Sequence, residues 1–150
     1  ANAMILAPFA MIRAASYDCL SDPLMRQLIL QIGEEAIAVG NQLGYQIEEI
    51  FGLRAQDMVG SPAQISEKLV ETLIGHIGKK SQNATTQDVI KGRRTETRFI
   101  NGLIVEKGEL HHLSCPANKA ICEIMQKIED RSLIAQLNNI EYACALAGIA

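Results

Sequence analysis

No apolar run in this chain approaches the ~20 residues needed to cross a bilayer, so the sequence offers no membrane-spanning helix. Positive charge is not in excess. Fourteen Lys and Arg stand against seventeen Asp and Glu, a net charge of −3, and no basic field recruits nucleic acid. No G-x-G-x-x-G or Walker pattern occurs, so no phosphate cradle is visible. Ser/His/Asp catalysis has no local signature, and there is neither an internal repeat nor a low-complexity tract. The four cysteines, Cys19, Cys115, Cys122 and Cys144, form no C-x-x-C pair. They read as reduced thiols of a cytoplasmic protein rather than a secreted disulfide framework. The start, "ANAMILAPFAMIR", places no basic stretch ahead of its apolar residues and reads as no signal peptide. Residues 1–3 read as an expression scar, leaving 4–150 as the domain. Met4 is then a native start or an internal methionine of a longer chain. Asn83-Ala84-Thr85 fits a glycosylation acceptor, a chance match where no secretion signal is seen.

What is present is helix punctuation. A chain of 150 residues, 48% hydrophobic and 21% charged, builds one domain with a real core. Ser21, Asp22 and Pro23 form a helix start, a capping side chain followed by a proline. Leu24, Leu28, Ile32, Ala36, Val39 and Leu43 then recur at helical spacing, and Gly44 closes the pattern. Ser61, Pro62 and Gln64 repeat the start with a capping box, ahead of Ile65, Leu69, Leu73 and Ile77. Between them, residues 45–60 read as an irregular connection carrying a short helix around Glu48–Leu53. Pro116 opens a further helix with Ile121, Met125 and Ile128 on one side. Residues 131–150 add a last amphipathic segment with a frayed end. The expected class is all-α, with five to seven helices.

Residues 87–102, "QDVIKGRRTETRFING", carry the candidate chemistry. Asn101-Gly102 between "RFI" and "LIV" is a hairpin-turn signature. Phe99, Ile100, Leu103 and Ile104 also fit a helix, on which Glu96 shares the apolar face at the first turn. Glu96 is then either an acid complementing the helix dipole or a carboxylate held at the rim of a core, where neighbours tune it. Arg93 and Arg94 read as an anion-binding pair or as solvated surface. His111, His112 and Cys115 are chemically apt metal donors, but no fourth ligand has suitable spacing; exposed loop residues are the better reading. His76 reads as a polar residue near a helix end.

The stretch Gln87-Asp88-Val89, Gly92-Arg93, Thr95-Glu96, Ile100-Asn101-Gly102, Gly108 and Pro116-x-Asn118 resembles the C-terminal domain of ketopantoate reductase (2-dehydropantoate 2-reductase). Leu20-x-Asp22-Pro23 fits the start of an earlier family helix, and the resemblance reaches to about residue 130. It implies a helical bundle like the C-terminal domains of ketopantoate reductase and 6-phosphogluconate dehydrogenase, and it favours helix over hairpin for residues 95–110. It also implies an NADPH-dependent oxidoreductase that converts ketopantoate to pantoate for pantothenate synthesis, in a cleft between this domain and a Rossmann domain. At the position of Glu96 the family has an active-site glutamate, which hydrogen-bonds the reacting oxygen and a catalytic lysine.

The departures bear on function. The family's lysine would lie before the first residue, and Ala7-Pro8 stands where Asn-Pro is usual. The substrate-binding serine aligns with Ala84, flanked by Asn83 and Thr85, so the candidate substrate contacts are Asn83, Thr85 and Arg93. With no Rossmann fingerprint in these residues, no cofactor is expected to bind this chain alone. Its expected partners are a second copy of itself and a separate or upstream Rossmann domain. The alternative function is a non-catalytic helical interaction or dimerisation module that kept the fold.

Overall fold

The computed structural model describes residues 1–13, 20, 22–76 and 82–149. Among them are seven α-helices and no strand: α1 (Asn2–Ala10), α2 (Pro23–Gln42), α3 (Pro62–His76), α4 (Ala84–Ile90), α5 (Thr97–Leu110), α6 (Pro116–Glu129) and α7 (Asn139–Ala147). The expected class is therefore the observed one. Cys19, the predicted cap Ser21 and Ile77 of the predicted stripe lie outside the described residues. Asp22 is the N-cap of α2, its carboxylate accepting from the amides of Leu24 and Met25 at 2.9 and 3.0 Å. Ser61 and Gln64 form the expected reciprocal box: the Ser61 amide donates to Gln64 Oε1, and the Gln64 amide donates to Ser61 Oγ.

α2 is the central post. Its predicted stripe is buried at Leu28, Ile32 and Val39, and Met25, Ile29, Gly33 and Ile37 are buried as well. So broad an apolar surface is what a helix shows when neighbours cover several sides. At Gly33 a β-carbon would sit 2.4 Å from Ser66 Oγ and 2.6 Å from Met4 Cε. Glycine there sets how closely α1 and α3 approach α2. Ser66 then reaches the Leu30 carbonyl at 2.8 Å, and the Arg26 guanidinium spans to Glu67 at 2.7 Å. α5 and α6 form an antiparallel hairpin, with Gly102 beside Cys122 and Gly108 against Cys115.

Three expectations change. Residues 48–53 hold no helix. Ile50 and Leu53 form an isolated bridge across Phe51 (φ 52°) and Gly52 (φ 81°), two left-handed residues that make a tight turn and stop a helix. The single short helix in the connection is a 3₁₀ turn at Ala55–Asp57. The last helix begins only at Asn139, because residues 130–138 fold back onto α1: the Gln136 amide and Asn139 Nδ2 both donate to the Met11 carbonyl. Its end is closed rather than frayed, with Gly148 left-handed at φ 72° and the Ile149 amide on the Cys144 carbonyl, a Schellman-type finish.

The polar centre of the fold is Glu35, 4% exposed. Its carboxylate accepts from the amides of Ala117 and Asn118, both at 2.9 Å, and from Asn118 Nδ2 at 2.7 Å. It thus satisfies the open N–H groups at the start of α6 from another helix. Asn118 also donates to the Ile32 carbonyl and accepts from Asn101 Nδ2, which in turn donates to the Ala3 carbonyl. Four helices, α1, α2, α5 and α6, meet in this chain.

Two outcomes follow. Glu35→Gln places an amide N–H₂ against donors and should lower stability in urea melts by about 1–3 kcal/mol, whereas Glu34→Gln should change it by less than about 0.5 kcal/mol. Burial pushes the thiols of Cys115 and Cys122 up to about 11, which suppresses the reactive thiolate. Iodoacetamide at pH 8 should leave the Cys115 and Cys122 peptides of the native chain unlabelled in mass spectra while urea-unfolded chain is alkylated. The same sign makes their contribution to stability level below the ordinary thiol range and progressively lost as pH climbs toward 11.

Candidate active site

The segment from Gln87 to Gly102 begins in α4, leaves it at Lys91, and turns at Gly92 with φ 65°. It enters α5 through Thr95 and Glu96. Asn101-Gly102 sits within α5, so the tight-turn pattern is overridden. The reason is tertiary: Asn101 is 1% exposed, and its amide joins α1 to α6 as described.

Glu129, the last residue of α6, fixes the entry to α5. Its Oε1 accepts from the Thr95 amide at 2.9 Å and from Thr95 Oγ1 at 2.7 Å. Thr95 Oγ1 also pairs with Thr97 Oγ1 at 2.8 Å. Glu96 lies between these two anchored threonines as the N-cap residue of α5, yet its side chain makes no capping bond. The carboxylate is exposed and takes no hydrogen bond or ion pair from any described residue. The dipole-capping alternative thus lacks its side-chain contact. A small depression of about 120 Å³ opens beside this corner, between Thr97, Arg98, Gly102, Cys122 and Glu129.

The helical face carrying Glu96 is apolar, as its spacing predicts, but only part of it packs on the core: Ile100 and Ile104 do. Phe99, Leu103 and Leu110 are 74%, 48% and 65% exposed. The core side of α5 is instead Thr97, Asn101 and Gly108, flanked by the half-buried Ile100 and Ile104. Small and polar residues occupy that side because α5 lies close against its neighbours: a β-carbon on Gly108 would meet Cys115 Sγ at 2.6 Å.

The other candidates are distributed differently. Asn83 is the N-cap of α4, its Oδ1 accepting from the Thr86 amide at 2.8 Å. Its amide nitrogen donates to the carbonyls of Ile5 and Leu6 at 3.1 and 3.2 Å. These carbonyls lie just before Pro8, inside α1, where the missing N–H loosens the helix. With both N–H groups committed, Asn83 clamps α4 to α1, an arrangement a glycan on this amide would break. Thr85 is 1% exposed and its hydroxyl meets no partner among the described residues. Arg93 is exposed and only 3.9 Å from Asp88, a loose pair in solvent. No hydrogen bond or ion pair among the described residues joins Glu96 to Asn83, Thr85 or Arg93.

The metal reading finds no support: no group of three or more His, Cys, Asp or Glu among the described residues is arranged to hold an ion. His111 and His112 are exposed, as expected. Cys115 is not a loop residue but the buried N-cap position of α6. A cavity of about 350 Å³ between the start of α1, α2 and residues 45–50 contains none of the candidate residues. The functional-looking residues missed by pattern alone are Glu35 and Glu129. Glu35 carried a usable signal: it falls three after Ile32 and four before Val39, which places it on the buried stripe. No helix of the described residues is long and apolar enough to cross a membrane.

A model of the family described as "Ketopantoate reductase PanE/ApbA C terminal" matches residues 1–129. Among curated proteins, the 2-dehydropantoate 2-reductase of Archaeoglobus fulgidus is 24% identical over 128 residues, 85% of this chain and 37% of its own length. That of Pyrobaculum aerophilum is 26% identical over 128 residues, 85% of this chain and 40% of its own. The chain therefore spans well under half of these relatives. The crystal structure of a PanE/ApbA family ketopantoate reductase from Ralstonia eutropha JMP134 shares the fold, with a TM-score of 0.70 at 21% identity over 87% of this chain and 38% of that one. With the all-helical architecture and the Thr95-Glu96 corner in place, the family match places this chain in the ketopantoate reductase C-terminal domain family.

Proposed function

We propose that this chain is the substrate-binding helical part of an NADPH-dependent reductase of 2-oxo acids, with ketopantoate as the first substrate to test and pantoate as its product. One observation carries the reading: Glu96 is an exposed carboxylate with no partner among the described residues, on a backbone corner that Glu129 and the two threonines hold in place. Its support is locked while its carboxylate stays open, the arrangement a group that meets a ligand needs. Reduction of a ketone builds negative charge on its oxygen and then needs a proton there. In this reading Glu96 accepts a hydrogen bond from the hydroxyl side of the reacting group, and orients the lysine that supplies the proton. Arg93 offers a charge to the substrate carboxylate, and Asn83 positions α4 against α1.

The residues present do not fit NADPH. They include no glycine-rich turn between a strand and a helix, and the described residues hold no strand from which one could spring. The hydride donor is accordingly assigned to a Rossmann domain beyond residues 1–150. A cytoplasmic setting accords with cysteines that show no regular disulfide framework in the sequence. The second reading, an interaction or dimerisation module, is favoured by the exposed Phe99, Leu103 and Leu110, since contiguous apolar surface finds partners. The two readings share a closed homodimer as the expected assembly.

Glu96→Gln should shift unfolding in urea by less than about 0.5 kcal/mol. In a fusion to a family dinucleotide-binding domain that includes the lysine, the same change should cut ketopantoate-dependent NADPH oxidation by a factor of a hundred or so. A stability loss above about 2 kcal/mol, or unchanged turnover in the fusion, removes Glu96 from the site. Light scattering at ~100 μM should give the mass of a dimer, and a monomer there counts against self-association.

A further inference from the structure

Three cations line one depression of about 420 Å³: Arg13, Lys91 and Arg131. They arrive from three different helix ends, those of α1, α4 and α6. Beneath them the lining is apolar, with Val89, Ile128 and Leu133 packed against the core. No Asp or Glu among the described residues lines the depression. Arg13 and Arg131 hold left-handed backbones, φ 55° and 60°, beside Gly92 at 65°. Glycine or asparagine would adopt that conformation more readily, yet arginine occupies two of the three turns. Arg131 Nη2 reaches within 3.9 Å of the point where a Gly92 β-carbon would stand, so the guanidinium lies across the turn.

The bland account is that cations at helix C-termini complement the helix dipoles. Charge decides against it as a full explanation. Each C-terminus carries about half a negative charge, so three ends offset roughly half of three cations. The terminal carbonyls are already satisfied by backbone donors: the Arg13 amide on Ala10, the Gly92 amide on Val89 and the Arg131 amide on Ile128. None of the three side chains forms an ion pair with a described acid. What remains is three cations without an ion-pair partner among the described residues, around a floor that includes Val89, Ile128 and Leu133.

We propose that this depression binds a small amphiphilic anion, a phosphate or carboxylate head on a short apolar body. The head meets Lys91, Arg131 and Arg13, and the body lies on Val89, Ile128 and Leu133. The depression is shallow and open, so a ligand of this kind lies along it with its head among the three cations. No aromatic side chain lines it, so the stacking platform that single-stranded nucleic acid needs is missing. The site is separate from the Glu96 corner and stands whether or not that reading does.

Hexyl phosphate titrated into the 150-residue chain tests the proposal, by calorimetry for stoichiometry and by amide NMR for location. One equivalent should bind saturably, with the Gly92 and Leu133 amides shifting. Inorganic phosphate should bind about tenfold more weakly, and hexylammonium not at all. Lys91→Gln and Arg131→Gln should each weaken hexyl phosphate about two- to fivefold. Lys119→Gln, which removes the same charge about 18 Å away along α6, should leave binding unchanged. Circular dichroism checks that each variant is folded, and Lys91→Gln decides the matter if Arg131→Gln is not. Absence of saturable binding, equal binding of hexylammonium or of inorganic phosphate, shifts confined to another surface, or equal weakening by Lys119→Gln would each overturn the proposal.

Discussion

A buried carboxylate at the start of a helix other than its own is the constraint on which this fold depends. Glu35 gives up water to accept from the backbone of α6, and that exchange is favourable because oriented N–H groups and the helix dipole replace the lost hydration. It then fixes Asn118, Asn118 fixes Asn101, and Asn101 reaches the backbone of α1. A half-satisfied network of this kind would be worse than an apolar core. Complete, it specifies one register for four helices, which an aliphatic core of Ile, Leu and Met would leave less sharply defined.

The consequence reaches the candidate site. Because α5 turns Thr97, Asn101 and Gly108 toward its neighbours, Phe99, Leu103 and Leu110 are left on the outside, together with Glu96. The same hairpin brings the C-terminus of α6 to the N-terminus of α5, where Glu129 pins Thr95. An exposed carboxylate on a rigid corner beside an apolar strip is thus a by-product of how the interior is tied. Residues 1–129 match the ketopantoate reductase C-terminal domain family, and the corner falls within that match.

Helix punctuation was largely legible. Asp22-Pro23, Ser61-Pro62-x-Gln64 and Pro116 mark starts by local chemistry, since capping and proline geometry involve residues a few positions apart. The turn at Phe51-Gly52 was not legible, because a phenylalanine in a left-handed conformation has no propensity signal. Asn101-Gly102 has a real local preference for a turn, yet the surrounding helical spacing and the resemblance favour helix, and α5 runs through it because Asn101 bonds between α1 and α6. Asn83 and Thr85 were placed in a site by resemblance; that Asn83 ties α4 to α1 and that Thr85 is buried came only with the packing of α4.

The sequence by itself determined the helical class, the helix starts, the apolar stripe of α2 and the motif that carries the family, all of which rest on residue type and spacing along the chain. The tertiary structure alone decided which faces look inward. Phe99 and Leu103 have the hydrophobicity of core residues and face solvent, while Glu35 and Asn118 have the polarity of surface residues and are buried. Hydrophobic periodicity ranks residues by their own transfer free energy. The burial of a polar group depends on whether another helix brings it donors and acceptors, and that is settled only when distant segments meet.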